Sequence, residues 1–221
     1  TFDMGFHMPA DHPEVLAGKP LRGPNRHPLQ IEGWTELMEG HYRDMQDLAC
    51  TLLRAIALAL GIERDFFDKR FVEPISVFRM IHYPPRQTAT SADQQGAGAH
   101  TDYGCVTLLY QDQAGGLQVQ NVKGEWIDAP PIEGTYVVNI GDMLQRLTNH
   151  VYPSTIHRVV NPPGELARQP RYSVPFFLHP NPDFVIDVLP STVTADNPSR
   201  YPEPITAQGY LEERLREIKL K

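Results

Sequence analysis

Hydrophobic residues keep a helical period over one long stretch of the chain. Trp34, Leu37, Met38, Tyr42, Met45, Leu48, Leu52, Leu53, Ile56 and Leu60 recur at that spacing, opposite a face carrying Glu36, Glu39, Arg43, Asp44, Asp47 and Arg54. The pattern predicts a helix over 35–60, with Gly61 placed to end it. Near the C-terminus, Tyr210, Leu211, Leu215 and Ile218 share one side of a shorter amphipathic stretch, which predicts a helix over 207–219. Between the two the texture changes. From Val72 apolar residues come in short runs, over 75–82, 105–110, 116–120, 124–128, 134–140, 155–160 and 171–178. The breaks read "YPP", "AGG", "VKGE", "APPIEG", "IGD" and "NPPGE", which are turn signals. Many short strands with regular breaks predict a sandwich, jelly roll or barrel. Residues 1–33 are rich in Pro, Gly and His and have no period, so they read as an irregular lead-in. Residues 86–98 read as a loop, and the chain after Pro180 is again irregular.

A length of 221 residues suits one domain over 1–221, with a lead-in and helix over 1–70, a β core over 71–190 and a tail over 191–221. No segment approaches the uncharged run that a membrane span needs, and no charged-then-apolar signal opens the chain. A net charge of −7, with both signs mixed along the chain, excludes the clustered basic face of a nucleic-acid binder. The two cysteines, Cys50 and Cys105, fit neither a metal-binding spacing nor a disulfide framework, so a reducing, cytoplasmic compartment is expected. Nothing in the composition bears on the oligomeric state.

Three side chains change this picture. His100 and Asp102 stand two apart in "GAHTDYG", and His157 follows in "STIHRVV". Residues two apart in an extended strand share a face, so His100 and Asp102 project together. If 99–103 and 155–160 are neighbouring strands of a barrel, all three groups meet inside it. Two imidazoles and one carboxylate can hold one face of a ferrous ion and leave the opposite positions open. Taken singly, each of these histidines reads more readily as a hydrogen-bonded structural or surface residue, since the chain has nine. A second group is Arg171 and Ser173, again two apart, at the head of the apolar run "VPFFLHP". A buried Arg is costly unless an anion pairs with it. A bidentate carboxylate ligand satisfies that requirement, and so does a structural Asp or Glu of the same chain. Tyr83, with Arg79 at the same parity in "FRMIHYPP", can add a phenol hydrogen bond or simply pack at the rim.

"AHTDYGCVTLLYQDQAGGLQVQ", "GEWIDAPPIEGTYVVNIGDMLQRLTNH", "STIHRVV" and "RYSVPFF", taken in this order and spacing, resemble the iron(II)- and 2-oxoglutarate-dependent oxygenases of the isopenicillin N synthase-like superfamily. The resemblance runs from about residue 72 to 190, and "GKPLRGPNRHP" is similar to a segment of bacterial and fungal members. It implies a mainly β, cupin-like jelly roll, the double-stranded β-helix, with a long supporting N-terminal helix and a short C-terminal one. It implies His100, Asp102 and His157 as Fe(II) ligands. Arg171 and Ser173 would hold the distal carboxylate of 2-oxoglutarate with Tyr83 as helper, and Arg79 would touch cosubstrate or substrate. The implied reaction couples O₂ and oxidative decarboxylation of 2-oxoglutarate to hydroxylation or desaturation of a small organic molecule. Retention of the Asp102 carboxylate speaks against halogenation. Two other readings remain: an Fe(II) oxidase of the isopenicillin N synthase or aminocyclopropanecarboxylate oxidase type that needs no 2-oxoglutarate, and a non-catalytic jelly roll holding zinc. Members of the family usually carry a further N-terminal region ahead of the point where this chain begins, at Thr1.

Overall fold

In the computed structural model, which describes residues 1–85, 95–161 and 168–219, two antiparallel sheets enclose a cavity. The chain opens with strand β1 (Phe2–Gly5), a short helix α1 (Pro13–Leu16) and the long helix α2 (Trp34–Ala59). There follow β2 (Val77–Tyr83), β3 (Ala97–His100), β4 (Val106–Gln111), β5 (Leu117–Gln120), β6 (Trp126–Asp128) and β7 (Val137–Ile140). Helix α3 (Asp142–Leu147) precedes β8 (His157–Val159) and β9 (Arg171–Leu178). A small β10 (Val185–Ile186)–β11 (Ile205–Thr206) ladder and helix α4 (Ala207–Lys219) close the chain. The larger sheet has the order β1-β2-β9-β4-β7 and the smaller β3-β8-β5-β6. This is an architecture of β sheets with a smaller helical part, consistent with a jelly roll.

Each predicted strand is present, most of them trimmed by one to three residues at an end, and β9 falls on its predicted bounds. Alternation explains its place: Arg171, Ser173, Pro175 and Phe177 face the cavity, while Phe176 and Leu178 face outward into the core under α2. Helix α2 begins after Gly33 and stops at Gly61, both at positive φ, where a side chain would be strained. Its buried stripe is Met38, Tyr42, Met45, Ala49, Leu53 and Ala57. Leu37 (69% exposed) and Leu48 (40%) do not belong to that face, a correction to the expected stripe. Two alanines do, because the helix lies close enough to the sheet for Tyr42 to meet Phe176 edge-on at 5.2 Å and to donate its hydroxyl to the Ser76 carbonyl.

Other departures have local causes. The lead-in is not wholly irregular: β1 pairs with β2 from Phe2↔Met80 to Gly5↔Val77 and buries Met4, but four residues are too few to display a period. Helix α3 stands where only a turn was expected; it buries Met143, Leu144 and Leu147 in less than two turns. Strand β3 occupies part of the expected 86–98 loop, whose first nine residues, 86–94, lie outside the described ones. In α4, Tyr210 and Leu211 are buried whereas Leu215 is exposed.

Strands β3 and β8 pair with a bulge. Ala97 lies opposite Val159 and His100 opposite His157, so three steps along one strand match two along the other. Beyond β3 the 101–105 loop is laced to its neighbours: Asp142 N donates to Asp102 O (2.8 Å), Gly141 N to Cys105 O (2.9 Å) and Cys105 N to Leu178 O (2.8 Å). Gly141 lies directly on the backbone of Gly104, and a side chain at either position would collide with backbone. No helix among the described residues is long and apolar enough to cross a membrane.

Candidate metal centre

His100, Asp102 and His157 converge, with one ligand atom from each lying within 4.8 Å of the others. The two imidazole rings are 4.4 Å apart, and His157 Nε2 is 3.7 Å from Asp102 Oδ1. Strand parity accounts for only part of this. His100 ends β3 directly opposite His157, but Asp102 lies past the strand, in the loop held by Asp142 and Gly141. Exposure is graded: His100 is open at the rim, His157 half-buried, and Asp102 buried at 5%.

The surrounding hydrogen bonds set the ligand atoms. His100 Nδ1 lies 2.7 Å from the Gly98 carbonyl and His157 Nδ1 3.1 Å from the Thr155 carbonyl. A carbonyl only accepts, so a proton on Nδ1 satisfies both contacts and leaves each Nε2 lone pair for a metal. Asn139 Nδ2 donates to Asp102 Oδ2 (2.8 Å), which fixes the second oxygen and leaves Oδ1 turned to His157. The same Asn139 amide nitrogen lies 3.2 Å from His157 Nδ1, so both Asn139 and the Thr155 carbonyl meet that ring nitrogen. The donor set of two neutral nitrogens and one charged oxygen suits a divalent ion such as Fe(II). Among the described residues no other His, Cys, Asp or Glu joins the group, which gives three protein ligands where a structural zinc commonly has four.

The same cavity, about 390 Å³, takes in Arg171 and Ser173 from β9 and Tyr83, Ile81 and Arg79 from β2. Its remaining walls include Leu109, Leu117, Val119, Val137 and Phe177. The volume is that of a small-molecule site. Arg171, 4% exposed, lies opposite Tyr83 in register, its guanidinium 5.0 Å from the phenol ring centre. Its Nε donates to the Gly115 carbonyl at 2.7 Å, while Nη1 and Nη2 are buried and have no hydrogen-bond partner among the described residues. Burial pulls its pKa below the usual arginine value, opposed by nearby Tyr83 and Asp112, and the group stays a cation. Among the described residues no Asp or Glu hydrogen-bonds the guanidinium, and Asp112 acts on it only through its charge. Ser173 is buried beside it, facing Ile81 and Gln111 across the sheet.

Arg79 reaches the cavity wall, but Nε and Nη2 are held by Asp3 Oδ1 and Oδ2 at 2.8 and 2.7 Å. The β1 strand that supplies Asp3 was not visible as a strand in the sequence. Asn139 was also missed, although a polar residue alternating with Val137 on a cavity-facing strand is a readable signal.

The profile of the 2OG-Fe(II) oxygenase superfamily matches residues 74–180. The chain is 40% identical over 210 residues to the 2-oxoglutarate-Fe(II) type oxidoreductase hxnY of Emericella nidulans, covering 93% of this chain and 59% of that protein. The structure of a 2OG-Fe(II) oxygenase family protein from Caulobacter crescentus matches with a TM-score of 0.88 at 44% identity, over 98% of this chain and 68% of the other. Neurospora crassa T7H in complex with alpha-KG and thymine matches at 0.84 and 36% identity, over 98% and 64%. The chain thus spans about three fifths of the length of the curated relatives it matches. The strands inside the matched segment, with the loop after β3, bring His100, Asp102, His157 and Arg171 to one cavity, and this chain belongs to the iron(II)- and 2-oxoglutarate-dependent oxygenases of the isopenicillin N synthase-like superfamily.

Proposed function

We propose that the protein is an Fe(II)- and 2-oxoglutarate-dependent dioxygenase that hydroxylates or desaturates a small organic molecule. The observation that carries this reading is Arg171: a buried cation with two unpartnered guanidinium nitrogens in the cavity that His100, Asp102 and His157 also line. A dianionic keto acid supplies the missing anion, and its far carboxylate can take both nitrogens in a fork. Bound together, Fe(II) and 2-oxoglutarate would supply the oxidising power, with O₂ consumed and succinate and CO₂ released.

The chain's own part is to bind and orient. His100 and His157 present Nε2, and Asp102 presents the oxygen that Asn139 leaves free. Arg171 and Ser173 hold the distal carboxylate, Tyr83 packs on the guanidinium, and Ile81, Leu109, Val119 and Phe177 exclude water. Arg79, held by Asp3, serves at the wall as a substrate or cosubstrate contact through its remaining Nη1. The pair of sheets is read as a double-stranded β-helix, and 1–221 as one oxygenase unit. The free thiols Cys50 and Cys105 suit a reducing, cytoplasmic setting, and the net charge of −7 suits a small-molecule partner, not nucleic acid. The T7H structure holds thymine together with alpha-KG, which supports a small organic molecule as the substrate class.

The deciding assay is succinate release from a substrate panel with and without added 2-oxoglutarate. Turnover that proceeds without it would transfer the protein to the 2-oxoglutarate-independent oxidases.

A further inference from the structure

The Arg171 guanidinium is useful only if it is aimed. Beside the Tyr83 ring, 5.0 Å away, its orientation is fixed among the described residues by one hydrogen bond, from Nε to the carbonyl of Gly115 (2.7 Å). Gly115 has no side chain to anchor it and, with Gly116, forms a pair of consecutive glycines at positive φ (72° and 88°). Such a pair is a soft place from which to hang a ligand-binding cation. What stiffens it is the residue that opens the turn. Asp112 Oδ1 accepts from Ala114 N (3.0 Å), folding the turn. Asp112 Oδ2 accepts from Tyr172 N at 2.6 Å, and Asp112 N donates to Tyr172 O (3.2 Å). Tyr172 is the residue after Arg171. On the far side Val160 N donates to Gly116 O (2.8 Å).

We propose that Asp112 is the positioning residue of the cosubstrate pocket: its carboxylate clamps the turn that aims Arg171 to the strand that carries Arg171. The inference rests on the reading of Arg171 as the 2-oxoglutarate contact. One carboxylate fixes both ends of the geometry, the Gly115 carbonyl and the Arg171 backbone, so Nη1 and Nη2 point into the cavity before any ligand arrives. Asp112 does not touch the ligand. As a bare negative charge near a site for a dianion it would weaken binding, and neutralising it would then help. The clamp predicts the opposite sign, since loss of the Tyr172 bond frees the turn and defocuses the fork.

The test is isothermal titration of the full chain, loaded anaerobically with Mn(II) as a redox-silent probe, with 2-oxoglutarate. Asp112→Asn keeps volume and one acceptor but loses the charge and one of the two acceptor contacts. The clamp predicts about tenfold weaker 2-oxoglutarate binding, the lower end of what outer partners contribute to a bound group. It also predicts unchanged Mn(II) affinity, with the ligand-free melting temperature lowered by no more than the several degrees that one lost charge-assisted bond costs. If Asp112→Asn does not fold, Asp112→Ser keeps an acceptor for Ala114 N and carries the same expectation. Wild-type protein that binds 2-oxoglutarate while the variant binds it equally well, or better, overturns the clamp alone. An equal loss of Mn(II) affinity also overturns it, because the role would then be general to the fold. Wild-type protein that does not bind 2-oxoglutarate overturns the reading of the site, and the clamp with it.

Discussion

Replacing Arg171 with methionine should separate stability from ligand binding. Arg171 is 4% exposed, and two of its guanidinium nitrogens have no hydrogen-bond partner among the described residues. Replacing an uncompensated buried charge by a hydrophobe of similar volume is neutral to stabilising, by about 1–4 kcal/mol. Against that, the bond from Nε to Gly115 is lost, about 1.5–3 kcal/mol for a charged donor. The two nearly offset, so ligand-free Arg171→Met should melt close to the wild type. Binding is another matter. Two charge-assisted bonds from Nη1 and Nη2 to a carboxylate are worth roughly 3–6 kcal/mol together. At about 1.4 kcal/mol per tenfold, the variant should bind 2-oxoglutarate some two to four orders of magnitude more weakly. Thermal melting with and without 2-oxoglutarate reads both effects. At about a hundred times the wild-type dissociation constant, ligand stabilises by about 2.7 kcal/mol, a rise of roughly 5–10 °C for a chain of this size. That rise should vanish in the variant. A variant that melts many degrees lower and keeps the full ligand shift would show that Arg171 is a structural cation.

The remaining expectations are narrower. His100→Ala and Asp102→Ala should abolish iron-dependent turnover while circular dichroism stays native, because His100 is at the rim and Asp102 lies in a loop held by backbone bonds; loss of the folded spectrum in both would make the triad a structural element. Asn139→Ala should weaken Mn(II) binding about 10–100-fold by freeing the second oxygen of Asp102, and undiminished affinity would remove Asn139 from the site. Stability should fall in mild acid. Burial holds the pKa of His179 below the ordinary histidine value, as it does, with help from Arg200, for His150. The unfolded chain therefore takes up protons that the folded one refuses. Stability is fully present above about pH 6.5 and is lost below it, at up to about 1.4 kcal/mol per pH unit for each histidine. Urea unfolding between about pH 7.5 and about pH 5.5 measures this, and an unaltered slope in His179→Gln would dismiss His179 as a source.

The centre of the site was legible because strands convert sequence spacing into direction. His157 and Thr155, Arg171 and Ser173, and Tyr83 and Arg79 all share the cavity face that alternation assigns them. Asp102 was placed correctly for a partly wrong reason, since the loop after β3 and not the strand delivers it. What sequence did not reveal depends on contacts across long separations. Nothing local marks Asp3 as the partner of Arg79, seventy-six positions away, or Asp112 as that of Tyr172, sixty away. Leucines on two sides of α2 hid which stripe is buried, and only the approach of the sheet selects Ala49 and Ala57 over Leu37 and Leu48.

The bulge between β3 and β8 makes the metal centre sensitive to length more than to composition. His100 faces His157 only because one extra residue is absorbed between Ala97 and His100. Deleting Gly98 or Ala99 would regularise the ladder, rotate His100 out of the cavity and, with Gly98, remove the carbonyl that sets its tautomer. An insertion inside β8 would turn His157 outward in the same way. Single-codon insertions and deletions in these two short strands should therefore abolish metal binding while many substitutions beside the histidines are tolerated, and a screen on this scaffold should vary side chains there and leave the residue count alone.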